Sequence, residues 1–326
     1  MDKDRQKVKA MNQNRTSGYA AALMYSVIIG FSFIFVKIAL EDAGPLDILA
    51  HRFTLSFAAA TIPILFGWVR LQIKWKKDLL YILPLALFYP VLFFTFQVFG
   101  LVYTTTSEAG IIQAAIPIFT MLLAAYFLKE RTRGWQLAAT LVSVFGVMFI
   151  FMLKGLDVRS SSLIGSLLIL LSSLSSAGYN VMARKLGGKW DVFTLTYVMT
   201  AAGFVLFNAM ALGEHLRQGA LGQYFAPFAK LPFLMAILYL GILSSLLTSY
   251  LSNFALSKLE ASQMSVFANL ATLISILAGV IVLNEHLEWF HYIGGLCILL
   301  GVIGRNLLPR PKKRAVSRQQ GASSGL

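Results

Sequence analysis

Leu101 to Ile150 can be laid on Leu256 to Arg305 at a constant shift of 155, through two hydrophobic stretches and the turn between them. The shift places Ser107 on Ser262, Glu130 on Glu285, Trp135 on Phe290 and Gly146-Val147 on Gly301-Val302. The two turns related in this way carry opposite charge. Lys129-Glu130-Arg131-Thr132-Arg133 is basic, whereas Asn284-Glu285-His286-Leu287-Glu288 is acidic. Basic loops stay in the cytoplasm, so the two turns are expected on opposite faces of a bilayer. Inverted repeats of this kind build many secondary transporters, with substrate held near the midplane between the halves.

Composition sets the solvent. With 57% hydrophobic residues and 13% charged residues, the chain has more apolar surface than one soluble core can hide. Spans of about 20 apolar residues are expected at 19–39, 48–69, 79–102, 108–128, 135–153, 163–183, 193–212, 231–256, 261–283 and 289–308. The expected fold is therefore all-α and integral to the membrane, with ten transmembrane helices in two inverted five-helix repeats. Residues 1–17 form an amino-terminal cytoplasmic segment, 18–155 the first repeat, 160–308 the second, and 309–326 a basic cytoplasmic tail expected to be disordered. With both termini cytoplasmic, 22 of the 28 Lys and Arg lie on the inner side and four on the outer side. The remaining two, Lys37 and Arg52, sit inside spans. The chain is expected in the plasma membrane as a multi-pass protein. Its first hydrophobic stretch is full length and reads as a retained signal anchor.

The formal charge of +14 is assigned to topology and anionic lipid rather than to nucleic acid. Four histidines (His51, His215, His286, His291) fall at expected outer ends or turns. The five-residue step from His286 to His291 does not put two imidazoles on one helix face, so no metal is expected. The phosphate-loop pattern Gly-x-x-x-x-Gly-Lys-Ser/Thr is missing, as is any acid, base and nucleophile constellation, so neither ATP hydrolysis nor catalysis is expected, and no cofactor. Cys297 reads as a small apolar packing residue.

Polar residues inside spans mark the candidate pathway, because an unsatisfied polar group in hydrocarbon is costly. Gln97, Gln113, Asn180, Asn253 and Asn269 are the candidate hydrogen-bonding positions, and Tyr89, Phe94 and Tyr179 a candidate aromatic wall. The alternative for each is helix-to-helix packing. Arg52 and Lys37 either snorkel to outer headgroups or attract a substrate carboxylate or phosphate, Arg52 by a two-pronged contact that lysine cannot match. Glu108 is a possible proton site, or a carboxylate favoured by the dipole at a helix start. Pro90 and Pro117 either bend their helices at a gate or kink them passively.

These residues resemble the drug/metabolite transporter superfamily, in its ten-helix EamA-type branch. The likeness is carried by Gly100-Leu101-Val102-Tyr103-Thr104-Thr105 leading into Ser107-Glu108-Ala109, by Pro117, by the Leu128-Lys129-Glu130-Arg131 turn and by Gly146-Val147. The second copy has Leu256-Ser257-Lys258-Leu259-Glu260-Ala261 and Leu283-Asn284-Glu285, and Arg52 resembles an arginine recurrent in that branch. The resemblance implies alternating access and a central cavity built from helices one, three, four, six, eight and nine. It also implies a carrier of small metabolites, often an exporter of amino acids or related solutes. Two departures stand out. Span one carries no acid, unlike the four-helix multidrug relatives, and span nine has Thr272 where span four has Pro117. The expected function is non-ATP transport, in the export direction, of a small polar or zwitterionic metabolite such as an amino acid or derivative. The expected partners are that solute and membrane lipids, and the oligomeric state is left open. A proton-coupled multidrug or cation exporter is the alternative, followed by a non-transporting scaffold or sensor.

Overall fold

The computed structural model describes residues 2–73, 75–129, 134–153, 161–186, 189–259 and 261–307. The basic tail, the turn containing Glu130 and the segment 154–160 lie outside the described residues. The helices are α1 (Asp2–Leu40), α2 (Pro45–Leu65), α3 (Lys77–Tyr103), α4 (Thr106–Phe127), α5 (Gly134–Leu153), α6 (Ser161–Leu186), α7 (Val192–Gln218), α8 (Leu231–Lys258), α9 (Ala261–Val282) and α10 (Trp289–Leu307). No strand occurs among the described residues. Seven of these helices are long and apolar enough to cross a membrane: α1 from Thr16, α2, α3, α4, α6 from Leu163, α7 and α8. The molecule is a multi-pass membrane protein.

Local chemistry sets the helix ends. Pro45 opens α2 with a backbone torsion already suited to the first turn. Thr105 Oγ1 accepts the Glu108 amide at 3.1 Å, and the Thr-x-x-Glu order is that of a capping box. Asp191 accepts the Thr194 amide at 2.9 Å at the start of α7. Gly219, at φ 67°, closes α7 six residues beyond the expected span. The helix α1 also runs back through the polar stretch after Met1. That stretch lacks Gly and Pro and holds several Lys, Arg and Gln, all good helix formers.

Two helices are irregular at matching places: α3 is kinked within Leu87–Leu92, where Tyr89 leaves helical torsions (φ −144°, ψ 119°), and α8 runs as a π-helical stretch over Tyr239–Leu247. In α3 the cause is Pro90, which has no amide to donate and displaces the carbonyl four residues back. Pro117 acts differently. The helix α4 is interrupted at Ala114–Ala115 and restarts at Ile116, with Pro117 in the new first turn. With Thr272 at the corresponding place, α9 runs unbroken, and the Thr272 hydroxyl donates to Gly110 O of α4 at 3.0 Å.

Packing repeats between the halves. The helix α1 lies on α8 and α9 as α6 lies on α3 and α4, while α2 meets α7, α4 meets α9 and α5 meets α10. Exchanging each helix for the one five places later leaves this set of pairs unchanged. Lys129 and Asn284, 155 apart, both end their helices with positive φ, 53° and 51°. The connections α1–α2, α3–α4, α7–α8 and α9–α10 gather at what is called here the far end, and the start of α1 marks the near end. At the near end Lys258 of α8 donates to Ser17 of α1 at 3.2 Å. At the far end Ser166 of α6 donates to Glu108 of α4 at 2.5 Å.

The α5–α10 contact depends on glycine. A Cβ on Gly294 would lie 2.4 Å from Ile150 Cγ1 and 2.8 Å from the Gly146 carbonyl, whereas one on Gly295 would meet nothing closer than 3.9 Å. A backbone oxygen cannot rotate away. Gly294→Val is therefore expected to cost about 1–3 kcal/mol through forced separation, read as a lower unfolding midpoint, with Gly295→Val unchanged as the control.

Candidate functional site

Three helices meet at Arg52, its own α2 together with α3 and α8. It is the largest side chain among those fully buried. Arg52 Nε donates to Ser245 Oγ at 2.9 Å and Nη2 to Ser244 Oγ at 3.2 Å, both on the π-helical stretch of α8. The guanidinium carbon stands 4.0 Å from the centre of the Phe94 ring and 5.8 Å from that of Phe53. Nη1 has no hydrogen-bond partner, and no carboxylate among the described residues pairs with the guanidinium. Snorkelling is thereby corrected for Arg52: the side chain turns into the bundle, where serines and an aromatic face receive it. Lys37, half-buried near the end of α1, stays within electrostatic reach of Glu285 and Glu108 at the far end.

An aromatic wall adjoins the guanidinium. The kink of α3 places Tyr89 in the interior, with ring centres 5.1 Å from Phe93 and Tyr179 and 5.2 Å from Phe94. Beside Thr248 and Ser249, the Tyr89 hydroxyl finds no well-aligned hydrogen-bond partner. The Tyr179 hydroxyl donates to Asn253 Oδ1. Asn253 Nδ2 in turn donates to Thr196 Oγ1 at 2.9 Å, tying α6, α8 and α7 together.

Arg52, Tyr89, Phe94, Tyr179 and Asn253 thus form one connected cluster. Gln97 follows one turn beyond Phe93 and Phe94, fully buried, with both amide atoms unpartnered. Asn180 is buried next to Tyr179, and Gln113 is buried at the interruption of α4 with its Nε2 unpartnered. The side chain of Asn269 lies outside the described residues. Glu108 stands apart from the cluster. Its partner Ser166 precedes Ser172, whose hydroxyl donates to Phe93 O at 2.9 Å, by six residues of α6, about 9 Å at ~1.5 Å per residue.

Two sets of contacts tie the elements together at the far end. Glu285 accepts the Thr106 amide at 2.7 Å, the Ser107 amide at 2.8 Å and the Ser107 hydroxyl at 2.6 Å, a carboxylate placed where a helix start favours negative charge. Gly279 makes room, since a Cβ there would fall 2.3 Å from Glu285 Oε2. Above Arg52 the α7–α8 connection folds over α2. His51 Nε2 meets Tyr224 O at 2.9 Å, Tyr224 donates to Asn208 Oδ1 at 2.7 Å, His215 Nε2 meets Asp47 at 2.8 Å, and Lys230 donates to Asp42 at 2.6 Å. Burial, helped by Asp47, pushes the Tyr224 phenol up to about 12, so it remains a neutral donor at neutral pH. At the near end a crevice lined by Leu85, Ala183, Trp190, Leu195 and Ser257 reaches Asn253 itself.

Sequence reasoning passed over Thr196 and the capping role of Glu285. The alignment of Glu130 on Glu285 was the available signal for the latter. Residues 16–152 and 163–307 each match the model of the EamA-like transporter family. The chain belongs to the EamA-like transporter family. It is 58% identical over 305 residues to "Uncharacterized transporter YcxC" of Bacillus subtilis (strain 168), covering 93% of this chain and 97% of that one. It is 21% identical over 282 residues to a "Probable amino-acid metabolite efflux pump" of Escherichia coli (strain K12), covering 86% and 92%. A solved structure described as "Crystal structure of protein" superposes with a TM-score of 0.62 at 18% identity, over 90% of this chain and 98% of that one, a likeness of fold. The family and the relatives' names indicate a transporter rather than an enzyme.

Proposed function

We propose that this EamA-family protein is a secondary carrier that exports a small carboxylate-bearing metabolite, such as an amino acid or derivative, by alternating access between two inverted five-helix halves. The observation that carries this reading is the buried, unneutralised Arg52 with a free Nη1 beside the Tyr89–Phe94–Tyr179 wall. A charge in the membrane interior without a counter-charge is costly and marks function by default. A substrate carboxylate would supply the missing charge through a two-pronged contact.

Ten crossings are supported by the helices that occupy every expected span, α5, α9 and α10 included. Inversion is supported by the pairing pattern, by the paired positive φ of Lys129 and Asn284, and by α1 starting at the near end while α6 starts at the far end. With both termini in the cytoplasm of a plasma-membrane protein, the near end faces inward. The arrangement is then closed outside by Glu285 and the α7–α8 connection, and cracked open inside at Asn253. The name of the Escherichia coli relative supports the solute class and direction.

A comparison of metabolites inside and outside cells that overproduce or lack the protein would identify the solute, and flux in proteoliposomes would test the site. Replacing Gln97, Asn180 and Asn253 together by Leu is expected to abolish that flux with membrane expression intact. Unchanged flux would remove them from the pathway.

A further inference from the structure

Outside the central cluster, a lateral cavity of about 640 Å³ opens between α3, α4 and α6 toward the near end. Its volume falls in the range of ~300–1,000 Å³ usual for sites that hold organic molecules. Tyr81 and Phe88 of α3, Phe127 of α4, and Leu174, Gly178 and Lys185 of α6 form its walls. Several of these face outward: Tyr81 is 50% and Phe127 58% exposed, so the cavity opens sideways to the hydrocarbon rather than along the bundle axis. Its cationic lining residue is Lys185, and no lining residue is acidic. A second cation stands at the same mouth, because Lys189 Nζ lies 3.6 Å from the centre of the Tyr81 ring.

We propose that this groove holds an anionic phospholipid, its acyl chain lying along Phe88, Leu174 and Gly178 and its phosphate met by Lys185 and Lys189. Apolar walls below two lysines match the two parts of such a molecule, and basic pockets between membrane helices are suited to anionic headgroups. The floor explains why occupancy would matter. A Cβ on Gly178 would lie 2.9 Å from Phe88 Cδ1, so the missing side chain lets Phe88 lean on α6. Phe88 and Gly178 face the groove while their chain neighbours Tyr89 and Tyr179 face each other in the central cluster. A lipid chain in the groove therefore braces the kink of α3 from behind, against the residues that hold Tyr89 in place. The proposal concerns a binding site and is independent of which solute is carried.

Native mass spectrometry of the full chain in a neutral detergent tests it, with phosphatidylglycerol and phosphatidylcholine of identical acyl chains as probes. Phosphatidylglycerol is expected to be retained preferentially, by about fivefold for each lysine engaged. Lys185→Gln with Lys189→Gln should remove the preference, Lys185→Arg with Lys189→Arg should keep it, and Leu174→Trp should displace both lipids by filling the groove. Equal retention of the two lipids by the wild-type chain would overturn the proposal, as would a preference that survives the double Gln variant. So would displacement of phosphatidylglycerol by inorganic phosphate together with indifference to Leu174→Trp, since that describes an anion patch and not a lipid groove.

Discussion

Replacing Arg52 by Met is expected to abolish transport while leaving the unfolding midpoint unchanged or higher. Both halves of this outcome follow from the same geometry. A guanidinium taken fully out of water, with two serine hydroxyls and a Phe94 face as its company and no carboxylate, has not recovered its lost hydration. Exchange of buried ionic groups for apolar side chains of similar volume is often neutral or stabilising by about 1–4 kcal/mol, and Met occupies much the same space. Ser244 and Ser245 lose a donor, but serine hydroxyls in membrane helices readily bond carbonyls of their own turn. The transport half is set by the substrate. Removing one partner of a buried, hydrogen-bonded charge pair costs at least about 2 kcal/mol, or roughly 30-fold in affinity.

Arg52→Lys separates charge from shape. The ammonium keeps the charge but cannot present two parallel N–H groups or stack flat on Phe94, so flux between that of the wild type and that of Arg52→Met is expected. Flux of the identified solute in proteoliposomes, read beside thermal unfolding of the same preparations, checks both variants against the wild type. If the arginine served the fold alone, Arg52→Met would lower the midpoint, and flux would fall only in step with the folded fraction.

How much of this was legible from the residues depends on what wrote the signal. Hydropathy and loop charge act over 20 residues at a time, so every expected span falls on a helix, with ends displaced where a local cap took over, as at Gly219. Pro90 was a visible cause of irregularity in α3. The π-helical stretch of α8 has no proline, and nothing in Tyr239–Leu247 announces it, although it is the element that offers Ser244 and Ser245 to Arg52. Asn253 and Tyr179 could be named from composition as polar and aromatic groups inside spans. Their bond to each other, and the link onward to Thr196, depend on how three helices are rotated. Glu108 shows the limit most plainly. One sequence position supports both a proton site and a helix-start carboxylate, and only the packing of α4 on α6 places it beside Ser166.

Glu285→Ala should open the far end. In the present arrangement this carboxylate satisfies two amides at the start of α4 and the Ser107 hydroxyl. These are charge-assisted bonds, worth about 1.5–3 kcal/mol each when taken singly. They join the α9–α10 connection to α4, so an alternating-access cycle has to break them whenever the far end opens. An open state hydrates the same amides at little penalty, whereas the closed state of the variant leaves them unpartnered beside Gly279. The substitution therefore penalises the closed state selectively, by roughly 2–4 kcal/mol, which shifts the closed-to-open ratio about 30- to 1,000-fold. A cysteine at Ser166, in a chain whose single native thiol is removed by Cys297→Ser, reports the change. Ser166 is 1% exposed, next to the capped turn. Its labelling by a bulky charged maleimide is expected to be slow with Glu285 present and at least tenfold faster in the Glu285→Ala background. A thiol at Leu231, already 68% exposed, should label at the same rate in both. Because Glu285→Gln keeps an acceptor but loses the charge, its labelling rate should fall between the two. Equal rates at Ser166 in all three backgrounds would mean that the cap fastens a static helix end, and the far-end gate would have to be sought in the His51–Tyr224 contact over Arg52 instead.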